Sequence, residues 1–571
     1  MHTIACSIAL ASCAYAATVE VYSATVQKNV DGPSCNIVPS RVDSADAVVE
    51  YEDAINSTGW IMQRVLASGD STSEVAAFAA GCVQGYASAA RMTQYWRNYA
   101  ANEYSGDQPP QKLVDFMMEQ QKFTIALAEG SIKPPVSQYS DDLIFGLRHV
   151  VAQFKGLIDG YMQRAKRDNI PQALDEVDLF LLNSVGDLES LNSIEKGPAV
   201  DISMPDSDLG RYLDCSGYVG PIQKGSESYK ASAQGGDIAV LHSTWRSYYA
   251  MMRVAAVWDF PFAPAKVVAA SSSPGFLHSK DDFYVSGGEG RLVVFETTNA
   301  VFNKTLAAQV SPHTLLTWQR AAAAMMVATS GEHWTGVFSL LNSGTYNSQW
   351  VVVDGKLVAQ AQAEAESKQV LASEQASTAN SLPAALPDNT LWVLEQIPTY
   401  VWRADMTSKM ASMGYWPSYN IPYNEKVYVM SGYPAQAAKN PGYGYNTTGR
   451  SRIFARNSST ATTMDDVMRL ARYNDYESDP LSGGDPVLGA VAARGDLQAG
   501  SKATPFGAVD SKTVSAGDLG ATGNAELHFI SGPTTDQQTP FSFTPEFSGV
   551  VRDGVPDRWD FDWVSFPLQR R

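Results

Sequence analysis

A cysteine near the middle of the chain lies in a sequence context that could support nucleophilic chemistry. Cys215 follows Asp214 and begins the apolar segment Cys215–Ile222, which a Gly/Ser/Lys-rich stretch separates from a second apolar segment at 237–241. The two segments predict a β-hairpin with Cys215 at an exposed strand edge. Because a thiol attacks only as its thiolate, Cys215 would need a base nearby.

Cleavage of the bond between Asp214 and Cys215 would supply that base. The freed α-amine of Cys215 would have a pKa of about 8 and could accept the thiol proton. This is the logic of an N-terminal nucleophile hydrolase. The alternative is an ordinary packed cysteine, because free cysteines are among the residues most often buried.

The residues before Cys215 predict a loop that is open to cleavage. The stretch 192–213 is rich in Ser, Pro, Asp and Gly and has no sustained hydrophobic period. Proteases cut exposed, unpacked loops. We therefore expect a mainly helical N-terminal fragment at 18–214, with an exposed cleavage loop at 192–214. A C-terminal fragment at 215–571 would begin with the nucleophile and carry most of the sheet core.

The hydrophobic periodicity predicts helices before Cys215. Residues Ser71 to Glu74 form a capping-box pattern ahead of the apolar run 75–99, so Ser71 is interpreted as a helix cap. Apolar residues at helical spacing predict further helices at 140–166 and 170–191.

After Cys215 the pattern changes to short apolar segments bounded by turn residues. These segments predict an antiparallel sheet with strands at 265–270, 282–285, 291–297, 349–353, 391–396 and 426–430. Helices are predicted at 312–329 and 332–341. The Ala/Gln/Glu/Ser-rich stretch 359–380 predicts either a solvated helix or a flexible insertion. The fold class that follows is α+β.

The first residues have the features of a secretory signal. The apolar run 4–17 and the small-residue sequence Ala14-Tyr15-Ala16 predict a signal peptide at 1–17 and an exported, soluble protein. No later apolar run reaches the roughly 18 residues that a membrane span needs. Removal of the signal leaves Cys35, Cys82 and Cys215. Cys35 and Cys82 either pair in an oxidising compartment, or Cys82 is simply packed in its helix.

The composition excludes several kinds of partner and cofactor. A net charge of −18 argues against nucleic acid and against tight binding to anionic membranes. The 7 His residues lack the close spacings of a metal site, and neither a Gly-x-Ser-x-Gly elbow nor a phosphate-binding loop occurs, so no cofactor is expected. Glycosylation is predicted at four sequons, Asn56, Asn303, Asn446 and Asn457.

Ten multi-residue blocks in order carry a family resemblance. In chain order they are 56–60, 214–216 together with 237–245, 281–284, 296–299, 342–347, 391–398, 414–423, 492–497, 531–534 and 556–563. Together they resemble the phospholipase B-like family, lysosomal N-terminal nucleophile hydrolases, from Asn56 to Trp563. The chain departs from the family in a longer hairpin loop at 220–236, in the Ala/Gln insertion, and in lacking C-terminal cysteines found in some relatives.

The resemblance implies an αββα sandwich, cleavage before Cys215, two fragments that stay together, and removal of fatty-acyl chains from glycerophospholipids in lysosomes. Two alternatives remain open. One is an amidase acting on N-acylated lipids or peptides, since a cysteine with an amine base also cleaves amides. The other is a catalytically idle lysosomal glycoprotein that binds lipid.

By motif, the resemblance implies a six-residue site. Its members are Cys215, His242, Trp245, Thr298, Asn420 and Arg450. Arg450 is assigned from the Arg-x-x-Ile-Phe pattern, for which Arg452 competes. Every member also has a plain structural interpretation: a packed cysteine, a hydrogen-bonded histidine, a core tryptophan, a strand threonine, a turn amide and a surface ion pair.

Each residue type suits a role in acyl transfer. Asn420 can donate an amide N–H to the oxyanion, while Thr298 and His242 can orient the amine or the attacking water. Trp245 can wall the pocket. Arg450 can hold a carboxylate or a backbone carbonyl.

Overall fold

The computed structural model describes residues 18–30, 32–104, 106–195, 215–223, 236–280, 282–371 and 386–570, with the backbone alone at 193–195 and 368–371. The predicted signal peptide, residues 196–214 of the predicted cleavage loop, the tip of the hairpin loop and the end of the Ala/Gln insertion lie outside these ranges.

Nineteen strands lie in the described part of the chain. They are β1 Glu20–Asn29, β2 Gly32–Val38, β3 Ala47–Ala54, β4 Trp60–Ala67, β5 Cys215–Ile222, β6 Asp237–Ser247, β7 Arg253–Asp259, β8 Val267–Ser272, β9 Phe283–Ser286, β10 Leu292–Thr298, β11 Ser348–Asp354, β12 Leu391–Ile397, β13 Tyr400–Asp405, β14 Trp416–Ser418, β15 Phe506–Ser515, β16 Glu526–Ser531, β17 Phe541–Ser542, β18 Arg558–Trp559 and β19 Val564–Pro567.

Sixteen α-helices accompany them in the same ranges. They are α1 Ile55–Thr58, α2 Ser73–Glu103, α3 Gln111–Ala128, α4 Ser140–Asp168, α5 Glu176–Asn183, α6 Val185–Glu195, α7 Lys304–Ala307, α8 Thr317–Val327, α9 Gly331–Phe338, α10 Gly355–Leu371, α11 Thr407–Met413, α12 Glu425–Ser431, α13 Tyr433–Ala437, α14 Gly449–Asn457, α15 Met464–Ala471 and α16 Ala516–Thr522.

Two large sheets organise the fold. One has eleven strands in the order β13-β12-β11-β10-β9-β8-β7-β4-β3-β1-β2, and the other has six in the order β14-β5-β6-β15-β16-β19. Neighbouring strands are antiparallel except for β4 and β7, which run parallel. These sheets and helices confirm the predicted mixed α+β class.

Alternating apolar side chains pack both faces of each sheet. Val293 and Val240 belong to one buried cluster that contains side chains of both sheets. Their chain neighbours belong to other clusters: Val294 packs with α2, α4 and α8, and Leu241 packs with α14 and α15. Because successive strand residues point to opposite faces, the two sheets meet through one face and contact helices through the other.

The N-terminal part contains four strands that the sequence patterns did not predict. β1 to β4 join the large sheet through the pairing of β4 with β7. The long helix α2 then begins at Ser73, and its N-cap residue, Thr72, makes no side-chain capping bond. The capping role predicted for Ser71 is therefore wrong, because its hydroxyl donates to the carboxylate of Asp46 instead.

Two other predicted elements differ in the structure. The single helix expected at 170–191 is two helices, α5 and α6, and α5 starts only at a capping box on Asp175. The strand expected at 426–430 is helix α12, because the side chain of Asn424 accepts from the amide of Val427 and caps a helical turn. Side-chain capping outweighed the β-branched character of this segment.

The N-terminal cysteines form a disulfide. Cys35 and Cys82 are bonded, with their Cα atoms 6.4 Å apart, which decides between pairing and simple packing. Within the described ranges, every helix is too short or too polar to cross a bilayer. Of the four sequon asparagines, Asn56 and Asn446 are exposed and the other two are half-buried, so glycosylation stays a prediction.

Candidate active site

The first hairpin places Cys215 at the start of a central strand of the small sheet. β5 pairs with β6 so that Cys215 lies opposite Thr244 and Gly217 lies opposite His242. The thiol is fully buried. The expectation of an exposed strand edge is wrong, because β5 has β6 on one side and β14 on the other, and the large sheet packs beside it.

Gly217 allows the two sheets to approach closely beside the cysteine. A Cβ atom at this position would lie 2.2 Å from the ring of Phe295 on β10 of the large sheet. A side chain there would force the sheets apart next to Cys215. The residue type at 217 is thus fixed by packing around the site.

Arg450 links the cysteine to a distant loop. Its Nη1 atom donates to the carbonyl of Cys215 at 2.8 Å and to Oδ1 of Asn420 at 2.7 Å. Its guanidinium lies 4.4 Å from the ring centroid of Trp245. Burial lowers the pKa of Arg450 to about 10, although the nearby Cys215 opposes the shift, so the group remains a cation at acid and neutral pH. The competing Arg452 is exposed.

Asn420 is held rigidly from several directions. Its Nδ2 atom donates to the carbonyl of Thr298 at 2.8 Å, and its own carbonyl accepts from Tyr433 Oη at 2.6 Å. Its backbone has φ of 66°, a left-handed conformation that asparagine tolerates better than most residues. One of the two amide hydrogens is committed to Thr298, and the other is available for a further acceptor.

His242 takes part in a directed chain of hydrogen bonds. Lys512 Nζ donates to Thr244 Oγ1 at 2.6 Å, and that hydroxyl lies 3.4 Å from His242 Nδ1. His242 Nε2 lies 2.8 Å from the carbonyl oxygen of Glu296, which fixes the proton on Nε2. Burial, reinforced by Lys512, lowers the pKa of His242 well below its usual value, so the imidazole is neutral.

A buried ionic group supports this chain. Asp510 accepts from Lys512 and lies 2.7 Å from Arg253 Nε, and all three side chains are fully buried. Burial alone would raise the pKa of Asp510, but the two cations lower it to about 2. The carboxylate therefore stays ionised at mildly acid pH as well as at neutral pH.

Glu296 brings a carboxylate to the thiol. The Cys215 Sγ atom lies 4.0 Å from Glu296 Oε1 and is oriented to donate to it. The same oxygen accepts from Tyr346 Oη at 2.8 Å, and Thr298 Oγ1 lies 3.4 Å from Oε2. Tyr346 Oη also lies 3.0 Å from Asp282 Oδ2. Several acidic and hydroxyl groups thus converge beside the cysteine.

The six residues singled out from the sequence are all brought into this cluster. Contacts connect five of them directly, and His242 joins through the backbone of Glu296. Trp245 is fully buried and donates to the carbonyl of Val491 at 3.0 Å. Its ring packs in an apolar cluster with Phe506 and also contacts the Arg450 guanidinium.

Sequence reasoning missed Glu296, Lys512 and Asp510 as members of the cluster. The signal was present as charged residues inside otherwise apolar strands, where an unpaired charge would be costly. Such residues need partners, and only the tertiary structure identifies them.

Glu395 anchors the loop that carries Asn420. Its titration is expected to make the free energy of unfolding depend on pH. Its carboxylate accepts from Gln349 Nε2 and from the amides of Tyr423 and Asn424. Burial outweighs these donors and raises its pKa to about 7. The folded state therefore holds this proton more tightly than the unfolded chain does. The contribution of Glu395 to the free energy of unfolding is greatest below the unfolded pKa of about 4.5 and is lost as the pH rises to about 7.

We expect the loss to be about 3 kcal/mol of unfolding free energy between pH 4.5 and 7.5, at about 1.4 kcal/mol per pKa unit. Urea denaturation of the wild-type protein and of Glu395→Gln at both pH values measures it. The difference between the two pH values should shrink by that amount in the variant, which lacks the titrating group. An equal pH difference in both proteins would contradict the assignment.

Comparison with known proteins identifies the class and then the family. Residues 47–566 match the family model described as Phospholipase B. The chain is 34% identical to Phospholipase B-like protein G of Dictyostelium discoideum over 91% of this chain and 86% of that protein. It is 33% identical to Phospholipase B-like 1 of Homo sapiens, over 91% and 87%, and 30% identical to Phospholipase B of Crotalus adamanteus, over 91% and 88%.

These matches place the chain among phospholipase B-like hydrolases. It belongs to the Phospholipase B family. The match covers every residue of the site cluster and both sheets except β1, β2 and the last residue of β19.

Proposed function

We propose that this protein is an N-terminal nucleophile hydrolase that removes fatty-acyl chains from glycerophospholipids with Cys215 as the nucleophile. The observation that carries the proposal is the contact of Arg450 with both the Cys215 carbonyl and Asn420. It connects the first residue of a strand, a buried cation and a side-chain amide in one hydrogen-bonded group. The family membership supplies the substrate class.

The packing supports an αββα sandwich of the N-terminal nucleophile type. The two sheets share one apolar cluster, and their other faces pack against α2, α4 and α8 on one side and α14 and α15 on the other. In such a fold the nucleophile would begin a central strand, where a fixed strand backbone orients its amine and its thiol together.

Hydrolysis would proceed through a thioester. The α-amine of processed Cys215 accepts the thiol proton, and Sγ attacks the acyl carbon of the ester. Asn420 Nδ2 donates its second hydrogen to the oxyanion while Arg450 holds the Cys215 carbonyl. The C–O bond breaks, the alcohol leaves with the ammonium proton, and water then hydrolyses the thioester to the fatty acid and the free thiol.

Two contacts support the remaining expectations about processing and location. β4 of the N-terminal part pairs in parallel with β7 of the C-terminal part over seven residue pairs, so the two fragments would remain associated after cleavage. The disulfide between Cys35 and Cys82 suits an exported or lysosomal protein, since such bonds persist in oxidising compartments.

The test measures fatty-acid release at acid pH from phosphatidylcholine vesicles and from a matched N-acyl amide lipid. We expect release from the ester by the processed protein, in which N-terminal sequencing finds a chain that begins at Cys215. Release from the amide alone would favour the amidase. Vesicle binding without release from either lipid would favour the idle lipid-binding protein.

A further inference from the structure

Under the proposed function, cleavage before Cys215 needs a base that the uncut chain does not carry on that residue. The nitrogen of Cys215 is then part of a peptide bond, and an amide nitrogen does not accept protons near neutral pH. The α-amine that serves lipid hydrolysis is a product of the cleavage, so another group must activate the thiol for the first reaction.

The Glu296 carboxylate meets the geometric requirement for that base. Its Oε1 atom lies 4.0 Å from the Cys215 Sγ atom, which is oriented to donate to it. The side chain is fully buried, and the Tyr346 hydroxyl donates to the same oxygen at 2.8 Å. The carboxylate is thus fixed beside the thiol by packing and by a hydrogen bond.

Three neighbouring titratable groups, His242, Lys512 and Arg450, are unsuited to this task. His242 is committed through Nε2 to the Glu296 carbonyl, and its Nδ1 faces the Thr244 hydroxyl. Lys512 donates to Thr244 and Asp510, as an ammonium does. Arg450 remains a cation and donates to the Cys215 carbonyl.

We propose that Glu296 is the general base for self-cleavage between Asp214 and Cys215. Glu296 takes the thiol proton, and Sγ attacks the carbonyl carbon of Asp214. The C–N bond breaks, its electron pair stays on the Cys215 nitrogen, and Glu296 returns the proton to that nitrogen. The acyl group is now a thioester on Sγ. Water hydrolyses it, which gives the Asp214 carboxylate and restores the thiol, with one water consumed overall.

The first experiment follows cleavage of freshly purified full-length chain by denaturing electrophoresis. Glu296→Gln keeps the shape of the side chain but removes its basicity, so we expect cleavage to slow by about 10²–10⁴-fold. The matched control is Asp354→Asn, which changes a buried carboxyl at the far end of β11 and should leave the cleavage rate within about twofold of wild type.

A pH profile separates a lost base from a distorted site. Without a base, only the spontaneously ionised thiol reacts, so the Glu296→Gln cleavage rate should rise about tenfold per unit between about pH 6 and 8. A structural defect would give a low rate with the wild-type profile. That result, or wild-type cleavage by Glu296→Gln, would overturn the proposal.

A bypass variant separates self-cleavage from turnover. Residues 211–214 are replaced by the recognition sequence of a protease that cuts directly after it, so that added protease frees Cys215. In the cut proteins, Glu296→Gln should lower phosphatidylcholine hydrolysis by a factor at least tenfold smaller than its effect on self-cleavage, because the α-amine now acts as the base. If lipid hydrolysis by the cut variant fell by as large a factor as self-cleavage did, the proposal that Glu296 serves self-cleavage and the α-amine serves lipid hydrolysis would be refuted. Absence of lipid hydrolysis by cut wild type would instead reject the proposed function.

Discussion

Replacement of Cys215 by alanine is expected to abolish both self-cleavage and lipid hydrolysis. One thiol serves as the nucleophile in both reactions, and loss of a nucleophile lowers turnover by a factor of about 10⁴ or more. The thiol is fully buried, so its removal should also cost about 1 kcal/mol of stability. Activity and stability should therefore fall by very different amounts.

The measurement compares self-cleavage, lipid hydrolysis and melting temperature in Cys215→Ala and Ser531→Ala. Ser531 is a buried residue of similar size on β16 of the same sheet. Its backbone pairs with that of Asp510, but its hydroxyl makes no hydrogen bond within the described part of the chain. The control should be cleaved and active. Undiminished hydrolysis by pure Cys215→Ala, or loss of activity in both variants, would remove the nucleophile role of Cys215.

Substitution of Asn420 is expected to lower kcat by about 10²–10³-fold with little change in KM. The reason is that an oxyanion donor acts on charge that develops in the transition state. The contacts of Asn420 show that alanine alone is a poor test, because the residue has φ of 66° and alanine at such an angle costs roughly 1–2 kcal/mol.

Asn420→Gly avoids that strain, since glycine accepts positive φ readily. We expect Asn420→Gly and Asn420→Ala to lose kcat alike, with the lower melting temperature in the alanine variant. Asn169→Gly is the matched control: Asn169 has φ of 50° at the end of α4 and should leave kcat unchanged. Full kcat in Asn420→Gly would show that the amide only supports its loop.

Local patterns in the sequence determined much of the fold. The apolar runs predicted strands β8 to β12, and helical spacing predicted α2, α4, α8 and α9, because side-chain periodicity reports which face of an element is buried. The hairpin that begins at Cys215 was also predicted. The bounds of β5 are those expected, whereas β6 starts at Asp237 as expected but continues to Ser247 instead of ending at Leu241. Strands β1 and β2 were not predicted, because many of their residues are exposed and the alternation of apolar and polar residues is therefore weak.

The composition of the site was only partly determined by the sequence. Motif resemblance identified Cys215, Asn420 and Arg450, but their chemistry depends on contacts between residues far apart in the chain. Arg450 reaches Cys215 across 235 positions, and Lys512 reaches Thr244 across 268. Packing of the two sheets and their helices sets these distances, and no local pattern encodes them.

The surroundings of the thiol were decided by tertiary structure alone. The sequence established that Cys215 starts a strand, yet it placed that strand at an exposed edge. In the structure the thiol is buried beside the Glu296 carboxylate. Strand propensity depends on neighbours in the chain, whereas burial and the identity of a proton acceptor depend on which strands lie alongside. The association of β5 with β6, β14 and the large sheet therefore determines both the burial of the Cys215 thiol and its neighbouring carboxylate.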